Sequence, residues 1–156
     1  MELTVFQPEL TRALALVSRA VATRSVLPVL SHILLVARQG RLQLAATDLE
    51  ICLTGWLDAE VAQPGALTIP ARPFTELVNT LPSEAIRLSL DSQTQTLCVR
   101  GPVSTTHIKG LNAEEFPPLP QAEGTHSIHL SATEWKTIIR QVTIAASSDE
   151  ARPSLR

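Results

Sequence analysis

An α+β fold built on antiparallel hairpins is predicted by three features of the sequence. Short runs of alternating apolar and polar residues recur between turn residues. Two amphipathic helical stretches interrupt those runs at comparable points. The order strand, helix, three strands occurs twice between Glu2 and Ile108, and it begins a third time near His126.

The chain has 156 residues, enough for one ordinary domain with its own core. Hydrophobic residues make up 44% of it, with three Phe, two Trp and no Tyr, so the core must be aliphatic. The net charge is −2, which excludes a tail that holds nucleic acid by bulk positive charge but allows a local basic face. Cys52 and Cys98 each sit in an alternating run and read as buried free thiols of a reducing compartment. No apolar run approaches the roughly 18 residues that span a bilayer. The N-terminus has no basic stretch followed by an apolar one, so no signal peptide is expected and the cytoplasm is the default.

Glu2 to Phe6 is a short strand with Leu3 and Val5 on one side. Pro8 suits the first turn of a helix, where its missing N–H is not needed. Leu10, Ala13, Leu14, Val17, Ala20 and Val21 form its apolar stripe, with Arg12 and Arg19 opposite; Leu16 falls between those arginines and breaks the pattern. Thr23-Arg24-Ser25 ends the helix, and Leu27-Pro28 turns the chain into an extended form. Three strands follow: His32 to Ala37, almost wholly apolar after its histidine, then Arg41 to Ala46 and Glu50 to Leu57. Gln39-Gly40, Thr47-Asp48 and Pro64-Gly65 supply the turns.

The order then restarts. Ala66 to Ile69 is a strand, and Ala71 to Thr80 is a helix with Phe74, Leu77, Val78 and Leu81 at helical spacing; Pro82 stops it. Ile86 to Leu90, Thr96 to Arg100 and Val103 to Ile108 are the next three strands. Asn112 to Thr125 contains FPPLP, lacks periodicity and reads as a linker.

A third start follows the linker. His126 to Leu130 is a strand, and Ser131 to Glu134 fits a capping box in which hydroxyl and carboxylate each bond the other's backbone N–H. Leu130 and Trp135 are placed for a hydrophobic staple, and Trp135, Ile138, Ile139 and Val142 make the stripe. Laid on the first start, Leu3 meets Ile128, Leu10 meets Trp135, Leu14 meets Ile139 and Pro28 meets Pro153. The chain is thus expected to begin a second copy of its own domain and to stop at Arg156 with that copy's core unmade.

Catalytic constellations are poorly represented. His126 and His129 lie on opposite faces of a strand and do not make a metal pair. Asp48 and Glu50 fit a hairpin end better than acid–base work. His32 and His107 have no acid or thiol partner in the pattern. Phosphate-loop, GxGxxG, GxSxG and CxxC motifs are absent, and no cofactor is indicated. The helix arginines Arg12, Arg19, Arg24 and Arg72, with Lys136 and Arg140, are either solvated faces or a set of weak phosphate contacts from repeated units.

Several stretches taken together resemble the bacterial β sliding clamp, the processivity subunit of DNA polymerase III. They are the N-terminus through the first helix, Leu27-Pro28-Val29-Leu30 leading into Ile33 to Val36, and Thr47-Asp48-Leu49-Glu50. Pro70-Ala71-Arg72 with Phe74, Leu81-Pro82, and Glu115-Phe116-Pro117 with Leu119 follow in the family's order. The resemblance implies a DNA-clamp fold: two strand–helix–three-strand units per domain, with helices on one face of antiparallel sheets. It implies an N-terminal domain over residues 1–120 and the truncated start of the central domain over 121–156. It implies a non-catalytic subunit of a ring that encircles double-stranded DNA without sequence preference. Two subunits would close head-to-tail as a homodimer, and DNA polymerase III and the clamp loader would bind through short linear motifs; no membrane is involved. By position, Arg24 and Arg72 match phosphate contacts, and Asp149 lies in a loop that approaches DNA. Arg152 and Leu155 match the near edge of the partner pocket. Val103 to Ile108 matches the edge strand that meets the other subunit, with Thr106 where the family often has an aromatic. The alternatives are a stand-alone clamp-fold domain that binds only protein, or a small α/β enzyme whose site the pattern does not reveal.

Overall fold

A computed structural model describes residues 1–22, 26–120 and 128–146. It divides into two compact units, Met1–Pro120 and Gln121–Arg156.

Among its described residues the first unit holds nine strands and two α-helices. Strand β1 (Glu2–Phe6) leads into α1 (Gln7–Val17), and β2 (His32–Arg38), β3 (Arg41–Thr47) and β4 (Cys52–Asp58) follow. A short strand β5 (Glu60–Gln63) precedes β6 (Gly65–Pro70) and α2 (Ala71–Thr80). Strands β7 (Ala85–Asp91), β8 (Thr96–Arg100) and β9 (Thr105–Lys109) complete the unit.

Two antiparallel sheets result, ordered β5-β1-β7-β8-β9 and β4-β3-β2-β6. The opening strand of each repeat is therefore exchanged. Strand β1 pairs with β7 of the second repeat, setting Leu3 opposite Leu88 and Val5 opposite Ile86. Strand β6 pairs with β2 of the first, setting Ile69 opposite Ile33 and Leu67 opposite Leu35. These inward residues join Leu10, Leu14 and Val17 of α1 and Phe74 and Val78 of α2 in one aliphatic core. The side chain of Gln7 is buried where the helices meet: its Nε2 donates to the Val78 carbonyl at 2.9 Å, joining the first turn of α1 to the last turns of α2.

Four expectations need correction. The first repeat has a fourth strand after α1, because the extended chain continues past Ala59 and crosses to the other sheet as β5, with Val61 opposite Leu3. Only one residue of β5 is apolar and packed on the core, too little alternation to register. Helix α1 ends at Val17 and tightens to a 3₁₀ turn over Ser18–Ala20; Val21 is already extended. Strand β9 starts at Thr105, and Val103 is exposed in the turn before it. The expected linker, Asn112 to Thr125, is anchored within its described part, as is the residue before it. Leu111 exchanges two 3.0 Å backbone hydrogen bonds with Thr68 on the free edge of β6, and Phe116 is buried against Val29, Leu30, Leu34 and Ala45. That second cluster covers the outer face of β2, which is why β2 is apolar on both faces.

In the second unit, α3 (Ala132–Val142) forms with the expected capping box. The Glu134 N–H donates to the Ser131 hydroxyl at 3.2 Å, and the Ser131 N–H donates to the Glu134 carboxylate at 3.1 Å. The Ser131 hydroxyl also donates to that carboxylate at 2.6 Å, and this bond first, with the one from the Ser131 N–H, holds the Glu134 carboxyl below the usual range. The expected strand before it does not form over Ile128–Leu130, the described part of that stretch. A strand exists only by pairing, and no described segment pairs with it. Its apolar stripe, including Trp135 and Val142, is exposed.

Candidate nucleic-acid interface

Arg72 is the one member of the expected site that lies among the described residues. Arg24, Asp149, Arg152 and Leu155 lie outside them, as does His126. Arg72 is the second residue of α2 and follows Pro70, which occupies the N-cap position and offers no side-chain cap. The first turn carries no acidic residue, so the positive end of the helix is not neutralised there. The Arg72 side chain is 89% exposed. Cationic side chain and helix terminus thus present positive charge at one place, as a phosphate contact requires.

That charge is already engaged. Arg72 Nε donates to Glu76 Oε1 at 2.8 Å, one helical turn further on. The hydrogen bond first, and the carboxylate's charge second, raise the Arg72 pKa above its ordinary value. An incoming phosphate would have to displace or share this partner.

Arg12 on α1 and Arg19 in the 3₁₀ turn after it lie on the exposed face, opposite the apolar stripe. Both are exposed and line a groove of about 830 Å³ between α1 and the edge strand β4. Leu16, Trp56 and Arg41 line it too. Leu16 breaks the helical stripe because it belongs to this groove, where it is 46% exposed and faces away from the core. Gly55 in β4 allows the approach of α1, since a Cβ there would touch Val17 at 3.6 Å and Ala13 at 3.9 Å.

The other candidate groups take structural roles. His32 is buried, with Nδ1 3.2 Å from the Thr68 hydroxyl. Asp48 closes the β3–β4 turn: its carboxylate accepts from the Glu50 and Ile51 N–H groups at 3.0 and 2.8 Å, and the Ile51 bond leads in lowering its pKa. Cys52 and Cys98 are free and half-buried rather than fully buried. Among the described residues, no three His, Cys, Asp or Glu side chains stand together as metal ligands. No described helix is long and apolar enough to cross a membrane.

Comparison with known proteins agrees with this architecture. The family model for the N-terminal domain of the DNA polymerase III beta subunit matches residues 1–120. The chain is 35% identical to the beta sliding clamp of Synechococcus elongatus, over 99% of its own length and 42% of the relative's. It is 30% identical to that of Bacillus subtilis, over 99% of its length and 43% of the relative's. The crystal structure of the Bacillus subtilis DNA polymerase sliding clamp superposes with a TM-score of 0.92 at 28% identity, covering 98% of this chain and 42% of that one. The chain therefore spans less than half the length of these relatives. On the match over residues 1–120, and on a fold of two repeats that exchange their first strands, the chain belongs to the DNA polymerase III beta subunit family.

Proposed function

We propose that these residues are the N-terminal part of a ring-shaped sliding clamp, a non-catalytic processivity factor that tethers a replicative polymerase to duplex DNA in the cytoplasm. The supporting observation is the continuity of the match, since 99% of the chain aligns with beta sliding clamps from two distant bacteria. In this reading residues 1–120 are the N-terminal domain, and 121–156 open the central one. The ring is a head-to-tail homodimer, and β9, an unpaired sheet edge among the described residues, meets the second subunit. Arg24 and Arg72 touch phosphates, Asp149 lies in a loop near the DNA, and Arg152 and Leu155 edge the pocket for the linear motifs of polymerase III and the clamp loader.

The mechanism is topological. A closed ring stays on DNA without binding it tightly, so sequence-independent phosphate contacts suffice, and tight ones would resist sliding. A net charge of −2 is compatible with this, because the lining can be basic while the outer wall is acidic.

A chain of the relatives' length that begins with this sequence, loaded on nicked circular DNA, should stay bound through gel filtration and be released by linearising the circle. Equal loss from circular and linear DNA would refute the ring. Residues 1–156 alone should bind duplex weakly and lose it as salt rises, with no such retention. Unchanged duplex affinity in an Arg24→Glu, Arg72→Glu double variant would instead favour a clamp-fold domain that binds only protein.

A further inference from the structure

We propose that Glu76 is a built-in competitor for the Arg72 guanidinium, placed to keep its phosphate contact weak and quickly exchanged. This rests on the sliding-clamp reading. The Arg72 Nε–Glu76 Oε1 distance of 2.8 Å makes the pair a charge-assisted hydrogen bond rather than a distant attraction. Both side chains are largely exposed, at 89% and 65%, so the carboxylate can yield to another anion without burying an unpaired charge.

Helix stability does not account for the arrangement. On an isolated helix the favourable order puts the acid on the N-terminal side of the base, because the macrodipole rewards that order. Here the order is reversed: the cation lies at the positive end of α2 and the acid a turn inside. The first turn carries neither an acid nor a side-chain cap. This placement is poor for the helix and good for an anion arriving from solvent. With Glu76 in place, a phosphate exchanges one charged acceptor for another, so the net gain is small. As the duplex moves past, Arg72 returns to Glu76 instead of to an unpaired state. The resident acid thus lowers both the affinity and the cost of letting go.

The test is a double-mutant cycle read by fluorescence anisotropy on a labelled duplex of mixed sequence, with residues 1–156 and again with a chain of the relatives' length. Glu76→Gln should tighten binding about two- to five-fold at ~50 mM salt and steepen the dependence of log K on log salt by up to about 0.9, the value for one more phosphate engaged. The gain should vanish in an Arg72→Ala background, and Glu76→Asp should restore part of the wild-type weakness. Thermal melts of all variants should coincide, which separates the effect from folding. A Glu76→Gln affinity equal to wild type, or a gain that persists without Arg72, would overturn the proposal while leaving the DNA reading intact. An Arg72→Ala variant that binds as tightly as wild type would remove Arg72 from the DNA interface, and the proposal with it.

Discussion

A neutral imidazole at His32 helps hold the anchored segment to the sheet. Thr68 is fully buried, and its hydroxyl donates to the Leu111 carbonyl at 3.3 Å, so it accepts from His32 Nδ1. Burial lowers the His32 pKa below 6.5, while a hydrogen bond to the Thr68 backbone and the negative charge of Glu115 pull the other way. The unfolded chain therefore takes up the proton first as pH falls. The stabilisation is complete above 6.5 and is lost as pH drops through the lower folded value. The melting temperature should fall as pH is lowered from above 6.5, and His32→Asn should flatten that slope. An unchanged slope in the variant would assign the dependence to other groups. The sequence marked His32 as the head of an apolar strand, but not its partner, because Thr68 lies on β6 and reaches it only through the strand exchange.

At the scale of elements, the crossings between sheets are the demanding parts. After β9 the chain passes Gly110 to pair Leu111 with Thr68. A Cβ on Gly110 would collide with the Thr68 carbonyl oxygen and the Leu67 side chain. Because one of these obstacles is backbone, relaxation is limited. Gly110→Ala should cost about 1–3 kcal/mol, the usual penalty for overpacking, read as a lower urea midpoint with an unchanged slope. The same change at Gly55 meets contacts no closer than 3.6 Å and should cost less. Helices α1 and α2 and most of the strands were legible because each carries several apolar residues at its own period. Strand β5, with only Val61 to mark it, was not. Phe116 read as part of a linker because nothing local shows that the outer face of β2 needs a cover.

At the scale of the molecule, every residue of the two buried clusters lies between Leu3 and Phe116. Residues 1–120 expressed alone should therefore unfold in one cooperative transition, coincident by far-UV circular dichroism and by Trp56 fluorescence. Separated transitions would show that the two sheets do not form a single cooperative core. Folding should be slow for the size, since the exchanged strands β1 and β6 pair with partners far along the chain.

What the sequence determined by itself is local. Alternation assigned Leu3, Val5, Ile86 and Leu88 to inward faces, helical spacing set the stripes of α1, α2 and α3, and the Ser131–Glu134 box set the start of α3. The double order of elements was readable too, because each repeat carries the same periodicities. Tertiary structure alone decided who pairs with whom. That β1 and β6 change places, that Leu16 opens on a groove with Trp56, and that His32 finds Thr68 all depend on contacts between distant residues. Periodicity says which face of an element is apolar, while the partner that covers it is chosen by the packing of the whole chain.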